Sequence, residues 1–156
     1  MARLTGEVVA ELLESGISGR EIAAAWGVTP GRVSQLAREA GYRSPKKRAM
    51  DPIPSSWELT ASQKRNRIYQ DLRIHLHAVA GLEISEASKA RLGLLYRRLR
   101  EYVVVHDPSI PSTPNNKFGG FRFEPRASWD GDLLIRQNRW TRIDPEYEKF
   151  WRLPDA

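Results

Sequence analysis

Cysteine is absent from this chain of 156 residues, which excludes disulfide bridges, thiolate metal sites and a cysteine nucleophile. The sequence also lacks any run of about 18 apolar residues, so it predicts no transmembrane helix. Its first ten residues lack the apolar core of a signal peptide. We therefore expect a cytoplasmic protein that has no membrane partner.

Histidine is scarce, and the three histidines do not have the spacing of a metal site. His75 and His77 are two residues apart in a predicted helix, so their side chains point in different directions. His106 is followed by Asp107, but no third ligand stands at a recognisable spacing. The sequence predicts neither a metal site nor a cofactor.

Catalytic motifs are lacking as well. Glu124, Asp130 and Asp132 would suit a metal-dependent nuclease, in which carboxylates gather around divalent ions. The pair Asp130 and Gly131 is more typical of a turn, and the acids around it of an exposed surface. No glycine-rich loop has the spacing of a phosphate-binding P-loop. We therefore expect no enzyme activity and no small-molecule ligand.

Positive charge is in moderate excess. The chain carries 25 lysines and arginines against 19 aspartates and glutamates, a formal net charge of +6. Such an excess favours a polyanionic partner when the cations are concentrated on one surface. The distribution of the cations along the chain therefore matters more than their number.

The stretch SGREIAAAWGVTPGRVSQLAREAG, residues 18–41, predicts two short helices joined by a tight turn. Ser18 and the glutamate three residues later have the spacing of a capping box, which satisfies free backbone N–H groups at a helix start. Gly27 tolerates the positive φ of a turn. Thr29 followed by Pro30 is typical of the start of the next helix.

Apolar residues of this stretch fall where two crossed helices would bury them, with a small residue where the helices come closest. They are Ile22, Ala23, Trp26, Val28, Val33 and Leu36. We expect Trp26 to be a core aromatic residue rather than one that stacks on bases. The positions left outside are Thr29, Pro30, Gly31, Ser34, Gln35 and Arg38. A helical hairpin that only packs on its neighbour is the alternative interpretation.

With its small residue, its glycine and its apolar residues at these positions, the stretch resembles the helix-turn-helix family. In that family the second helix enters the major groove of DNA. The resemblance implies that the outside positions face DNA and that Arg32 lies near a phosphate. Gln35 could pair with adenine and Arg38 with guanine, each contact discriminating between bases by about 1–3 kcal/mol.

Residues 4–13 predict a further helix, capped by Thr5, that completes a three-helix domain over residues 1–42. Residues 43–56 contain three prolines and predict a linker. The linker begins with four closely spaced cations, Arg43, Lys46, Lys47 and Arg48. Such a run is usually a solvated tether, but beside a recognition helix it could also contact phosphates or the minor groove.

Residues 57–156 predict a second domain. Apolar spacing predicts a helix over residues 59–80 and another from Ser85 to about Val103, packed as an antiparallel hairpin. The run of valines at 103–105, FGGFRF and DLLIRQ predict short strands, the last two joined by a turn at Asp130 and Gly131. A short helix follows Asp144. We expect a mainly helical chain with a small antiparallel sheet, an α+β fold.

Three clusters of polar residues in the second domain could contact DNA. Lys64, Arg65 and Arg67 lie near the start of its first helix. Asn115, Asn116, Lys117 and Arg122 surround a glycine pair that predicts a flexible backbone, and Arg136, Gln137, Asn138 and Arg139 follow the last predicted strand. The alternatives are a solvated helix face for the first cluster and ordinary turns for the other two.

Over most of its length, the chain resembles the immunity repressors of the temperate phages of mycobacteria, of the type that binds stoperators. The resemblance rests on the helix-turn-helix, the basic linker, and a mixed domain that contains FGGFRFEP and LLIRQNRW. It implies a nucleoid-associated repressor that keeps a prophage silent, and so confers immunity to superinfection. Such repressors bind an operator and many related asymmetric sites, the stoperators, on double-stranded DNA, and the resemblance implies a monomer that contacts DNA through both domains.

The sequence gives a physical reason for a monomer on an asymmetric site. It contains no heptad run that would dimerise the chain, and two weak modules joined by a tether gain affinity through effective concentration. The alternatives are a phage terminase small subunit, whose helical hairpin builds a ring, a homodimeric helix-turn-helix regulator on a palindromic site, and a nuclease or recombination protein.

Overall fold

The computed structural model describes residues 3–154. The chain divides into two compact units between Arg48 and Ala49, and each unit has its own hydrophobic core. Both units contain helices, and the second adds a small antiparallel sheet, so the predicted α+β fold is confirmed. No helix within the described part of the chain is long and apolar enough to cross a membrane.

The described part of the first unit begins with the helices α1 (Gly6–Glu14), α2 (Gly19–Trp26) and α3 (Pro30–Glu39). Their predicted starts are confirmed by side-chain caps. Thr5 and Thr29 each accept a hydrogen bond from a backbone N–H three residues later, and Ser18 forms the predicted capping box. Gly27 has a φ of 66°, the left-handed conformation expected at the turn.

The first core is small and aliphatic. Its buried residues are Val9, Ile22, Ala23, Val33, Leu36 and Ala37. Helices α1 and α3 approach closely at Gly6, where a Cβ atom would lie 2.6 Å from the carbonyl oxygen of Leu36. Only glycine fits there without a backbone shift, so Gly6 fixes the position of α3 on α1.

Trp26 is not a core residue, so that prediction is wrong. It is 38% exposed and lies outside the first core. A unit this small encloses little volume, and aliphatic and alanine side chains fill it. The indole at the end of α2 therefore remains at the edge.

Residues 43–56 differ from the predicted linker. Pro45–Ala49 forms a short helix, α4, and the hydroxyl of Ser44 accepts a hydrogen bond from the backbone N–H of Lys47 over 3.2 Å. Further along, Met50 and Ile53 pack on the second core, and the carbonyl of Pro52 accepts a hydrogen bond from Trp151. The packing of the second unit thus begins before residue 57.

The second unit contains α5 (Arg67–Val79), α6 (Glu86–Leu99), β1 (Tyr102–His106) and β2 (Phe121–Pro125). Three 3-10 segments accompany them, Gln63–Arg65, Ser128–Asp130 and Pro145–Trp151. Helices α5 and α6 pack on one another. Their core includes the fully buried Leu72, Leu76, Leu99, Phe121 and Trp151.

Both long helices are shorter than predicted. α5 begins at Arg67 rather than near residue 59, because Asn66 caps it by accepting a hydrogen bond from the backbone N–H of Ile68. The predicted start of α6 at Ser85 is confirmed, but α6 ends at Leu99. Val103 therefore belongs to β1 instead.

The sheet joins β1 to β2 in antiparallel register, with Val104 opposite Phe123. The segment DLLIRQ was predicted to pair with FGGFRF, and that prediction is wrong. Ile135 instead bridges Val104 in parallel, while the backbone N–H of Arg136 donates to the carbonyl of Val104 over 2.8 Å. A hairpin turn is prevented because Asp130 is buried in the 3-10 segment and accepts a hydrogen bond from the backbone N–H of Ala127.

Candidate nucleic-acid interface

The outer face of α3 carries the residues that the helix-turn-helix resemblance predicts to face DNA. The opposite face is buried, because Val33, Leu36 and Ala37 belong to the first core. The exposed residues are Thr29, Pro30, Gly31, Arg32, Ser34, Gln35 and Arg38. Helix α3 therefore has one face buried in the core and one polar face exposed.

Two side chains of that outer face are bonded to one another. Arg32 Nη1 donates a hydrogen bond to Gln35 Oε1 over 3.0 Å. The pair is exposed and three residues apart, so its net contribution is small, on the order of 0.5 kcal/mol. Bidentate recognition of adenine needs both the oxygen and the nitrogen of the Gln35 amide. To read a base in this way, Gln35 would have to leave Arg32.

A groove of about 400 Å³ lies beside this face within the first unit. Ser34 and Arg38 from α3 line it together with Lys47 from α4. Tyr42 and Ser44, both half-buried, complete the wall. The structure thus brings predicted base-reading and phosphate-contacting residues to one surface.

The remaining basic residues near the groove are exposed. Lys46, Lys47 and Arg48 belong to α4, and Arg43 precedes it. These cations are held on a short helix rather than on an extended tether. The signal for that helix was present in the sequence, because Ser44 followed by Pro45 is the same cap and proline pattern that starts α3.

A second, basic cleft of about 500 Å³ lies in the second unit. It brings together predicted residues from two of the three polar clusters, Arg67, Asn115, Asn116, Lys117 and Arg122. It also includes Arg98 of α6, which no sequence motif indicated. Ile68, Pro114 and Phe123 form its apolar wall. We call this surface the basic cleft.

Asn116 was predicted as a base-reading amide, but the fold uses both ends of that amide. Asn116 Oδ1 accepts a hydrogen bond from Asn66 over 2.9 Å, and its Nδ2 donates to the carbonyl of Phe121 over 2.6 Å. Asn66, fully buried, also donates to the carbonyls of Lys117 and Gly119. The residue that caps α5 therefore anchors the loop as well.

The glycine pair in this loop is not the flexible backbone that the sequence suggested. Gly119 and Gly120 are buried and have positive φ values of 63° and 84°. A Cβ atom on Gly119 would lie 2.3 Å from the carbonyl oxygen of Ile110, and one on Gly120 would lie 2.8 Å from Gln63 Cγ. The glycines are needed for close packing, so the loop is held in one conformation.

Arg136 was predicted to contact DNA, but it is an internal structural residue. Its guanidinium donates to both carboxylate oxygens of Asp130 over 2.9 and 2.7 Å, and to Glu124 over 2.6 Å. It also donates to the carbonyl of Pro125. The hydrogen bond from Arg136 is the main cause that lowers the pKa of Asp130. With these partners, the guanidinium is not available to a base or a phosphate.

The rest of that cluster is divided between structural and exposed residues. Asn138 accepts hydrogen bonds from the backbone N–H groups of Trp140 and Thr141, and its Nδ2 donates to the carbonyl of His106. Gln137 accepts one from the backbone N–H of Ile143. Arg139 is exposed and lies over the ring of Trp140 at 4.9 Å.

The cluster at the start of the second unit's helices is exposed. Lys64 and Arg65 belong to the 3-10 segment, and Arg65 lies over the ring of Phe118 at 5.9 Å. Arg67 differs from these two residues, because it is at the first position of α5 and lines the basic cleft. Of the three cations, only Arg67 therefore lines the basic cleft.

The carboxylates that would suit a nuclease are each paired with an arginine. Asp130 is bound by Arg136, Asp132 by Arg152, and Glu124 by Arg122 and Arg136. Within residues 3–154 no group of three histidines or acidic residues is placed to hold a metal ion. The acids thus serve to order the cations around them.

Comparison with known proteins shows the family of the chain. No protein-family model matches it. A repressor-like immunity protein of Mycobacterium phage L5 is 32% identical to it over 157 residues, an alignment that covers 97% of this chain and 85% of that protein. Similarity of this extent includes both units, not only the helix-turn-helix stretch. The chain therefore belongs to the family of phage repressor-like immunity proteins.

Proposed function

We propose that this protein is a sequence-specific repressor that binds double-stranded DNA, keeps a prophage silent, and so confers immunity to superinfection. The observation that carries the proposal is the outer face of α3, on which every residue in a DNA-facing position of the motif is exposed. The relative's name, a repressor-like immunity protein, supports the biological role.

Base reading is assigned to the first unit. Gln35 and Arg38 lie on the exposed face of α3, and each has the side chain that pairs with one purine in the major groove. Thr29 uses its hydroxyl oxygen to cap α3, accepting the backbone N–H of Arg32 over 3.1 Å. Its part at the interface is therefore to fix the helix start beside the DNA, not to select a base through that oxygen.

Phosphate contact beside α3 is assigned to the basic run. Lys46, Lys47 and Arg48 lie on α4, and Lys47 shares the groove of the first unit with Arg38. Cations of this kind supply affinity that does not depend on sequence and that falls as salt rises. The two kinds of contact should therefore be separable by mutation.

The protein is proposed to act as a monomer on asymmetric operator and stoperator sites, with both units in contact with DNA. One helix-turn-helix covers few base pairs, so helix-turn-helix proteins commonly dimerise on palindromic sites. In this chain the second unit offers another basic surface, and linking two modules raises affinity through effective concentration. Bound at a promoter, the protein would exclude transcription.

The test is selection of bound fragments from phage and host genomic DNA by the purified protein, followed by sequencing. We expect a recurrent asymmetric motif longer than one helix-turn-helix can cover, bound by a monomer according to the mass of the complex in solution. An inverted repeat bound by two copies would replace the monomer with a dimer. A ring-shaped oligomer without a motif would contradict the proposal and favour a role in DNA packaging.

A further inference from the structure

We propose that the basic cleft of the second unit binds backbone phosphates of the DNA, and that Arg98 is its principal cation. The inference rests on the proposed function and deepens it, because it assigns to this cleft affinity without base reading. Arg98 lies in the last turn of α6 beside Arg97, and nothing local in the sequence distinguishes these two arginines.

The lining of the cleft is charged with one sign only. Among the described residues, four cations line it, Arg67, Arg98, Lys117 and Arg122, and no carboxylate does. They come from α5, α6, the loop before β2, and β2 itself. Only Lys117 and Arg122 are near neighbours in sequence, so the cluster joins three separate stretches of the chain and is a product of the fold, not of one basic run.

The nearest acids do not neutralise these cations. Within the described residues, Arg98 and Lys117 have no carboxylate at ion-pair distance. Arg67 contacts Asp71 at 3.5 Å, but Asp71 is bound more closely, at 2.5 Å, by Arg91.

Arg122 likewise shares its acidic partner with a second arginine. It pairs with Glu124 at 2.6 Å, and Glu124 also pairs with Arg136 at 2.6 Å. Each acid near the cleft is thus shared between two arginines, which leaves the cleft with an excess of positive charge. An anionic partner is the ligand that this arrangement favours.

The position of Arg98 suits phosphate. Its guanidinium carbon lies 4.2 Å from the centre of the Phe123 ring and 5.7 Å from that of Tyr102. Contact with an aromatic face orients the guanidinium plane while its N–H groups remain at the plane's edge. Those groups can then donate to phosphate oxygens in a paired arrangement.

The opposite wall is held in place before any ligand binds. Asn66 donates to the carbonyls of Lys117 and Gly119, and Phe118 between them has a φ of 73°, a conformation that is costly for a residue with a side chain. The hydroxyl of Ser112 accepts a hydrogen bond from the backbone N–H of Phe118. A loop ordered in advance presents Lys117 at little entropic cost on binding.

Phosphate rather than base is favoured because four cations line the cleft, while only one of its two asparagines, the exposed Asn115, has an amide left to read a base. Asn116, which lines the cleft, has both ends of its amide bonded within the protein. Double-stranded DNA offers a phosphate of each strand about every 3.4 Å along its axis, so several cations of one open cleft can contact successive phosphates. The cleft should therefore bind DNA of any sequence.

The test compares Arg98→Gln with Arg97→Gln in the full-length protein, on the selected site and on unrelated duplexes, over a series of salt concentrations. Both changes remove one exposed charge from α6, but only Arg98 lines the cleft. We expect Arg98→Gln to weaken binding several-fold on every duplex, and to reduce the slope of log K against log salt by about 0.9. Lys117→Gln, in an exposed part of the loop, should do the same.

Equal behaviour of the Arg98, Lys117 and Arg97 variants would overturn the proposal. A changed base preference in Arg98→Gln would overturn it too, since the cleft would then read bases. Titration with deoxythymidine monophosphate tests whether the phosphate comes from a free nucleotide instead of DNA. The cleft would be a nucleotide site if the wild type bound this nucleotide saturably, Arg98→Gln abolished that binding, and Arg98→Gln left DNA binding unchanged.

The experiments distinguish a cleft that does not bind phosphate from a protein that is not a DNA-binding repressor. If only phosphate binding by the cleft is wrong, Arg98→Gln matches the Arg97 control while Gln35→Ala still alters base preference. If the proposed function is wrong, the wild type selects no motif, and the α3 variants change nothing.

Discussion

The two units differ in what their polar side chains are bonded to. On α3 the bond between Arg32 and Gln35 spans three residues, and the outer face remains exposed. In the second unit, Asn66 bonds to Asn116, fifty positions further along the chain. A polar cluster in the sequence can thus remain an exposed face, as on α3, or lend some of its side chains to long-range packing, as at Asn116.

Arginines show the same contrast. Arg38 on α3 is exposed beside a groove, whereas Arg136 is the main partner of a buried carboxylate. Both stood in basic, amide-rich stretches, and both were predicted to contact DNA. What separates them is a single buried acid, Asp130, which the sequence presented only as part of a turn.

The largest expected effect is a loss of stability when the structural arginine of this pair, Arg136, is replaced. Arg136→Gln should destabilise the second unit by about 3–5 kcal/mol, because it leaves the buried carboxylate of Asp130 without its charged partner. The side chain of Asp130 is 2% exposed and that of Arg136 is 16% exposed. Urea unfolding measures the loss. Arg139→Gln, an exposed neighbour, is the matched control and should change stability little; a stable Arg136→Gln that alters base preference would contradict the structural role.

A somewhat smaller effect is expected at the helix crossing of the first unit. Gly6→Ala should cost about 1–3 kcal/mol, since its Cβ meets the backbone of Leu36 at 2.6 Å and one helix must move. Gly31→Ala is the control within the same unit, because no atom lies closer than 3.9 Å to its Cβ. Thermal unfolding should show a lower Tm for the first variant only. Equal Tm values would mean that α1 does not fix α3.

Acidification should change the stability of the second unit through its histidines, because all three histidines of the chain lie in that unit. His75 Nδ1 is 2.6 Å from Tyr96 Oη and its Nε2 is 2.6 Å from the carbonyl of Phe150, so the neutral ring, donating from Nε2 and accepting at Nδ1, satisfies both contacts. Burial lowers the pKa of His75 and of His106, and raises that of Tyr96 to about 12.

The sign of the pH effect follows from those shifts. The neutral histidines are favoured in the folded unit, so their contribution is complete above the unfolded pKa of about 6.5 and is lost as pH falls below it toward the lowered folded values. We expect the urea concentration at the unfolding midpoint of the second unit to decrease when the pH is lowered from 7.5 to 5. The decrease should be smaller in His75→Gln. A midpoint that rises on acidification would contradict the buried neutral state.

The smallest expected effect concerns α4. Lys47→Ala should weaken binding to all duplexes alike and reduce the salt slope by about 1, because it removes one phosphate contact. Lys89→Ala on α6 is the control, since Lys89 is paired with Glu86 at 3.1 Å. If Lys47→Ala instead changed base preference, α4 would have to be assigned to base reading.

Prediction from sequence succeeded where the determining interactions are local. The caps at Thr5, Ser18, Thr29 and Ser85 all formed, because each joins a side chain to a backbone group three residues away. The same locality made the two faces of α3 readable from its apolar spacing. Burial of Trp26 was mispredicted, since it depends on the total volume of a small core rather than on spacing.

The basic cleft could be predicted only in part. Arg67, Lys117 and Arg122 were selected as cations, but their convergence with Arg98 depends on α6 packing beside β2. Arg98 and Phe123 are 25 positions apart, and no pattern within either segment specifies that contact. The structural use of Arg136 and Asn116 is equally a long-range property, so the sequence alone left binding and structural roles equally open.

Whether the outer face of α3 reads base pairs is tested most directly by the binding of the wild type and of Gln35→Ala to every single-base-pair variant of the selected site. We expect Gln35→Ala to lose about 1–3 kcal/mol of discrimination at one position and to keep the wild-type preferences elsewhere. An equal loss of affinity on all variants, with the base preferences unchanged, would contradict it.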